Sequence, residues 1–235
     1  MVATGHPFED GKKTEILDLE DSNFQCDGPE FPVGVLAASG AVVNGQPMIC
    51  GGVVKDSGRT KSCFTLKDQT WEETQTVMTS ARNYMGPGIV LDNKLVLTGG
   101  KLKSEVEEPE DSDFVTTIEL VDGRTSELNH PGDDGGLHGH CQIAWNSTTI
   151  FTIGGGESFS SYSADTWFIN LDKKVSYKGP KMKNARAYFG CGEMVVDGNT
   201  YIVAAGGWNG KEVIKSTEIL NKDDLTSGWT DGNNI

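Results

Sequence analysis

The sequence is poor in several things that would place a protein quickly. With 8 prolines in 235 residues it is too proline-poor for a collagen-like chain. No run reaches the roughly 18 apolar residues a membrane helix needs, so no membrane span is expected. No basic, then apolar, then small-residue stretch opens the chain, and no signal peptide is expected. Positive charge is scarce. Twenty Lys and Arg against 34 Asp and Glu give a net charge of −14. That balance argues against a nucleic-acid partner, because phosphate contacts draw on clustered Lys and Arg. Helical spacing with caps is absent over any ten residues. Catalytic signatures are missing too. Gly206 to Lys211 lacks the spacing and the Ser or Thr of a phosphate loop, and no Gly-x-Ser-x-Gly elbow occurs. The five cysteines (Cys26, Cys50, Cys63, Cys141, Cys191) form no Cys-x-x-Cys pair. No cofactor is expected.

Glycine is what the chain has in excess, 30 residues, and its placement is periodic. Pairs stand at Gly51-Gly52, Gly99-Gly100, Gly154-Gly155 and Gly206-Gly207, at intervals of 48, 55 and 52. Each closes an apolar run such as Leu95-Val96-Leu97-Thr98. Thr14-Glu15-Ile16-Leu17 returns 203 residues later as Thr217-Glu218-Ile219-Leu220, and the Met78–Gly86 segment returns as Met182–Gly190 after 104. Three landmarks sharing one period of about fifty residues define a repeat. A degenerate copy opens the chain at Val2-Ala3-Thr4-Gly5.

Inside a period the pattern is strand throughout: short β-branched runs bounded by Asn, Asp and Gly. Turns at Asn44-Gly45, Asp92-Asn93, Asn146-Ser147 and Asp197-Gly198 each join a first strand to a second. First strands are expected near 36–43, 84–91, 138–145 and 189–196. Four antiparallel strands at this period make one propeller blade, whose inner strands, packed on both faces, are apolar rather than alternating. The expected fold is therefore all-β. It divides as an incomplete blade at 1–30 and blades at about 34–78, 79–131, 135–180 and 185–235.

These residues resemble the kelch repeat. The matching elements are Gly51-Gly52 with Trp71 and Arg82, and Gly206-Gly207 with Trp229; the copies depart from the pattern where Tyr177 takes the tryptophan place in the fourth unit, Phe24 takes it in the first, and the third unit has no aromatic there. The resemblance implies a kelch-type β-propeller of four-stranded antiparallel blades, usually six, closed by a strand from the opposite end of the chain. About five repeats are present, so the expectation is a piece of a six-bladed ring, with an imperfectly closed five-unit ring as the rival.

The loops joining second to third strands emerge on the same side as those between blades. In kelch domains that side usually holds the partner pocket. Arg59, Lys101, Lys103, Glu157, Ser158, Tyr162, Trp208, Arg82, Tyr84, Arg186 and Tyr188 are placed there as candidate partner-binding residues. Arginine and aromatics suit such a surface, combining forked donors with rigid area. For Arg82, Tyr84, Arg186 and Tyr188, repetition at a fixed place also reads as packing, and Trp208 is expected to be exposed. Of the four histidines (His6, His130, His138, His140), the pair His138-Gly139-His140 would put both rings on one strand face, but without a third ligand no metal site is expected. Six carboxylates between Glu105 and Asp113 read either as a solvated loop or as a calcium or basic-peptide site. Cys50 and Cys63, on neighbouring strands, are a candidate disulfide; Cys141 and Cys191 are expected to be free packed thiols, with Cys26 unpaired. Asn146-Ser147-Thr148 is a candidate glycosylation sequon in a turn.

The leading expectation is a non-enzymatic interaction module that grips a peptide or protein segment with the loops of one face. The family resemblance also allows a galactose-oxidase-like copper enzyme, with His138, His140 and a tyrosine as an incomplete ligand set. An extracellular adhesive or sugar-binding propeller is the third reading. Accompanying domains are expected elsewhere in a longer chain, and the sequence leaves a cytoplasmic or an extracellular location open.

Overall fold

The computed structural model describes residues 2–3, 11–16, 28–102, 117–121, 124–129 and 136–235. It is all-β. The one helical element among the described residues is a single 3-10 turn, Leu225–Ser227. Four antiparallel four-stranded sheets follow one another along the chain, each in the simple order first-second-third-fourth. The first holds Ser39–Val43, Gln46–Cys50, Cys63–Lys67 and Thr70–Glu73; the second Ile89–Leu91, Lys94–Thr98, Thr117–Leu120 and Arg124–Asn129. The third holds Cys141–Ala144, Thr149–Ile153, Thr166–Asn170 and Val175–Lys178; the fourth Gly190–Val196, Asn199–Ala205, Thr217–Asn221 and Trp229–Asp231. Near the N-terminus Val2–Ala3 pairs with Glu15–Ile16.

The hairpins follow from their turn residues. Asn44 and Gly45 (φ 50° and 79°), Asp92 and Asn93 (48° and 57°), and Asp197 and Gly198 (50° and 80°) carry the paired positive φ of two-residue turns that match strand twist. The third sheet departs from the expectation. There the amides of Trp145 and Asn146 both donate to the Thr149 carbonyl, and Asn146 Oδ1 accepts from the Thr148 amide at 3.0 Å. A longer side-chain-closed turn replaces the two-residue one.

Strand periodicity explains how the sheets pack. In Lys94–Thr98, Leu95 and Leu97 join a cluster with Val43, Cys50 and Cys63 of the first sheet. Val96, on the opposite face, joins Ile150 and Ile169 of the third. Phe151, Ile153 and Phe168 of the third sheet then pack on Ile202, Ala204, Leu220 and Trp229 of the fourth. The second strands of the second and third sheets thus serve two interfaces each, which is why their sequences are apolar without alternation. Each such side chain contributes about 1.5–3 kcal/mol by leaving water.

Two joints recur. Pro29 carbonyl accepts from Thr14 Oγ1 and from the indole of Trp71, and Pro180 carbonyl accepts from Thr166 Oγ1 and from the indole of Trp229. Each tryptophan therefore ties its sheet to the preceding one. Tyr177 takes the corresponding register against Phe168, where Trp229 pairs with Leu220, but it stacks on Phe168 and is 54% exposed.

The second joint is the glycine pair, with both φ positive in all four copies. The second amide donates to the segment leading into the following sheet: Gly52 to Arg82 carbonyl, Gly100 to Leu137, and Gly155 to Arg186. A Cβ on Gly155 would stand 2.6 Å from His140 Cβ, so backbone conformation and space both demand glycine.

Candidate functional site

The segments leading into the four sheets share an unusual residue. Ala37, Tyr84, Gly139 and Tyr188 all have left-handed backbone, with φ between 54° and 57°. They are chained by their amides: Tyr84 donates to Ala37 carbonyl at 3.2 Å, Gly139 to Tyr84 at 3.4 Å, and Tyr188 to Gly139 at 2.7 Å. First strands consequently begin later than the sequence suggests, at Ser39, Ile89, Cys141 and Gly190. A tyrosine in this conformation costs on the order of 1 kcal/mol or more, so two of them are held there by their surroundings.

Those surroundings are aromatic. Tyr188 lies over Gly139, where a Cβ would come within 2.8 Å of its ring, and it shares a 2.8 Å hydrogen bond with Nδ1 of the fully buried His138. Tyr84 meets Tyr188 at 6.3 Å and Phe159 at 6.1 Å, both edge-on; His138 lies 5.2 Å from Phe159 and 6.4 Å from Tyr162. These edge-to-face contacts suit the ring quadrupoles. Lys101 Nζ sits 5.8 Å above Phe159. Tyr162 closes the loop between Gly156–Ser158 and Ser161–Tyr162 by donating its hydroxyl to Phe159 carbonyl at 2.7 Å. Burial first, then the neighbouring Tyr162 and Tyr84 phenols, push the Tyr188 phenol well above its ordinary value. It stays protonated and remains a neutral hydrogen-bonding group.

Most of the proposed face is gathered here. Lys101 pairs with Asn83 across Arg82–Asn83 and Lys101–Leu102, and Arg59 Nε donates to Asn83 Oδ1 at 2.7 Å. Glu157 and Ser158 are half-buried on the Tyr162 loop, with Ser158 Oγ 3.0 Å from Ser160 Oγ. Trp208 bridges to Ala187 and Val213, and Gly210 lies against the Tyr162 ring. Trp208 is half-buried, not fully displayed as the sequence suggests. Lys101 is 7% exposed and presents little surface.

Arg82 and Arg186, 1% and 0% exposed, take the packing role. Arg82 Nη1 donates to Gly99 carbonyl at 3.1 Å and to Thr117 Oγ1 at 3.1 Å. Arg186 Nη1 donates to the carbonyls of Gly206 and Ser216, and its Nη2 pairs with Glu218 at 2.7 Å. Their place on a partner-facing surface is therefore withdrawn. Each guanidinium clamps the glycine corner of its own sheet, while its carbonyl receives the glycine amide of the preceding one. Lys103, His6, His130, Cys26 and the 105–113 acidic segment lie outside the described residues.

His138 and His140 do not share a face. Gly139, with φ 57°, breaks the alternation, so His138 reaches Tyr188 while His140 Nε2 lies 2.5 Å from Thr98 Oγ1. Among the described residues no three His, Cys, Asp or Glu groups form a metal-holding cluster.

Cys50 and Cys63 stand opposite each other in register, Cα atoms 4.1 Å apart, and are disulfide-bonded. The expectation of free thiols at Cys141 and Cys191 is corrected: they form a second disulfide, with Cα atoms 6.2 Å apart. Stacking brings equivalent positions of neighbouring sheets side by side, and the spacing of 50 residues, one period, was the signal for it. Asn146 is exposed at its turn. Phe159 and Glu218 were missed. Phe159 sits among serines without a pattern of its own, whereas Glu218 lies in the repeated Thr-Glu-Ile-Leu motif.

The structure so far defines an all-β chain of stacked four-stranded sheets with an aromatic cluster where their lead-in segments meet. No protein-family model matches the sequence, and no curated protein matches it. Among solved structures, that of YjhT is similar with a TM-score of 0.74, covering 95% of this chain and 78% of its own, at 11% identity. At that identity the likeness bears on the fold alone.

Proposed function

We propose that the four sheets are blades of a kelch-type propeller and that the chain is a non-enzymatic interaction module. It holds a peptide or protein segment against the face built from Tyr84, Tyr162, Tyr188, Phe159, Trp208 and Arg59. The observation that carries this reading is the aromatic cluster itself. Partly exposed rings from three successive units converge on one place, held there by left-handed backbone that costs energy. Rigid aromatic area with adjacent donors is the composition of an interface hot spot. Peptides selected against the full chain from a random display library test it. Their affinity is expected to fall at least tenfold in Tyr188→Ala and Arg59→Ala, and to be unchanged in Lys67→Ala, on the far hairpin of the first sheet. Equal affinities for all three variants would remove the reading.

A second reading, an extracellular sugar-binding or adhesive propeller, is favoured by the two disulfides and the exposed sequon at Asn146. A glycan array probed with the oxidised chain separates the two, because binding that survives peptide competition belongs to the second. The copper-enzyme alternative has less support, since its two histidines are held by different hydroxyls.

A further inference from the structure

We infer that Cys141–Cys191 is a reversible thiol–disulfide site that sets the geometry of the aromatic face, whereas Cys50–Cys63 is a shielded structural bridge. The first observation is positional. The Tyr188–His138 hydrogen bond and the Cys141–Cys191 bridge both join residues 50 apart. They connect the same two segments of chain, three residues from each other on both: His138 to Cys141, and Tyr188 to Cys191. Between them the Tyr188 amide donates to Gly139 carbonyl. The bridge is therefore a covalent clamp on the spacing of the segments that carry the site, three residues from the hydrogen-bonded pair.

The second observation is access. Cys50 and Cys63 are each 0% exposed and Cys141 is 3%, but Cys191 is only partly buried at the edge of its cluster. Exchange needs a thiolate to reach one sulfur of the bridge. Cys191 is the one cysteine of the two bridges that is not fully buried, so its Sγ is assigned as the sulfur attacked. A dithiol reductant attacks it, and the S–S bond breaks. Cys141 leaves as a thiolate and takes up a proton. The second thiol of the reductant then attacks the mixed disulfide, releasing Cys191 and leaving the reductant as a cyclic disulfide. Two electrons and two protons pass to the protein.

After reduction the sulfurs can no longer sit at the ~2 Å of a covalent bridge. Non-bonded heavy atoms settle on the order of 3.5–4 Å apart, so the two side chains separate and the covalent clamp between the segments is lost. The sheets stay joined elsewhere, through Gly155 to Arg186 and the shared core of Phe151, Phe168, Ile202 and Leu220. The expected result is a loosened face on an intact fold.

This inference rests on the proposed function only for its consequence, regulated binding, and its test uses no ligand. The air-oxidised full chain is titrated with dithiothreitol, and free thiols are trapped with iodoacetamide and located by peptide mass spectrometry. Cys141 and Cys191 are expected to label at a reductant concentration at least tenfold below that needed for Cys50 and Cys63. In the same window, hydrogen exchange at the Tyr188 amide is expected to rise at least tenfold. Cys141→Ser/Cys191→Ser is expected to show the fast exchange without reductant; the wild-type titration stands by itself if that variant does not fold. Free Cys141 and Cys191 in the oxidised chain, simultaneous reduction of both bridges, or unchanged exchange at Tyr188 would each overturn the inference. A chain that passes these tests yet binds no selected peptide keeps the redox site and loses the proposed function.

Discussion

Arg186 and Glu218 form an ion pair 2.7 Å long in which neither side chain has any exposed surface. The carboxylate also accepts from the amides of Lys183 and Asn184, at 2.6 and 3.0 Å. A buried charge is tolerated because both carboxylate oxygens accept hydrogen bonds, and removing one partner strands the other. Glu218→Gln is therefore expected to cost about 3–5 kcal/mol, read as a lower midpoint in urea denaturation. Arg186→Lys is expected to destabilise as well, although the charge is kept, since an ammonium cannot reach Gly206, Ser216 and Glu218 together.

The Tyr188 phenol gives the fold an alkaline limit. Its value is raised in the folded chain, so the folded state keeps a proton that the unfolded state gives up. The resulting stabilisation is present in full below the unfolded value, about pH 10, and is lost as pH rises through the folded one. Thermal midpoints are expected to fall above about pH 10, and less steeply in Tyr188→Phe. An identical slope in the variant would contradict this assignment.

Two glycines with positive φ should respond differently to alanine. At Gly45, φ 79°, a Cβ meets nothing within 4 Å, so Gly45→Ala is expected to cost only backbone strain, about 1 kcal/mol. At Gly155, φ 101°, the Cβ would also strike His140 and the His138 carbonyl. Gly155→Ala is expected to leave little folded protein, judged by soluble yield and circular dichroism.

Asn146 offers a direct test of whether its sequon can carry a glycan. Expressed through a secretory route, the chain is expected to carry a glycan that N-glycosidase removes with a visible mass shift, and Asn146→Gln is expected to abolish that shift. Stability should drop by about 1 kcal/mol or less, the worth of the turn-closing bond to the Thr148 amide.

Local chemistry was readable and contact between sheets was not. Asn44-Gly45 and Asp197-Gly198 announce their hairpins because Asn, Asp and Gly adopt paired positive φ at the least cost. The repeated glycine pairs gave the period for the same reason. Repetition at a fixed place already offered packing as a reading of Arg82 and Arg186, and the glycine carbonyls they reach, 17 and 20 residues on, show what they pack against. His138 and His140 misled through an assumption of regular strand, which the left-handed Gly139 breaks. Cys141 and Cys191 were legible in principle, because one period of separation places two residues side by side once the sheets stack.

Because Leu95 and Leu97 face one neighbour while Val96 faces the other, the second sheet is only half the owner of its cores. A single inserted residue in Lys94–Thr98 would turn both sets over at once and present each neighbour with the wrong partner. Length changes can therefore accumulate in the connecting loops but not in the strands. The unequal intervals between glycine pairs, 48, 55 and 52, fit that division. The units read as interchangeable modules in sequence, yet neither the second nor the third sheet could be swapped without redesigning the two beside it.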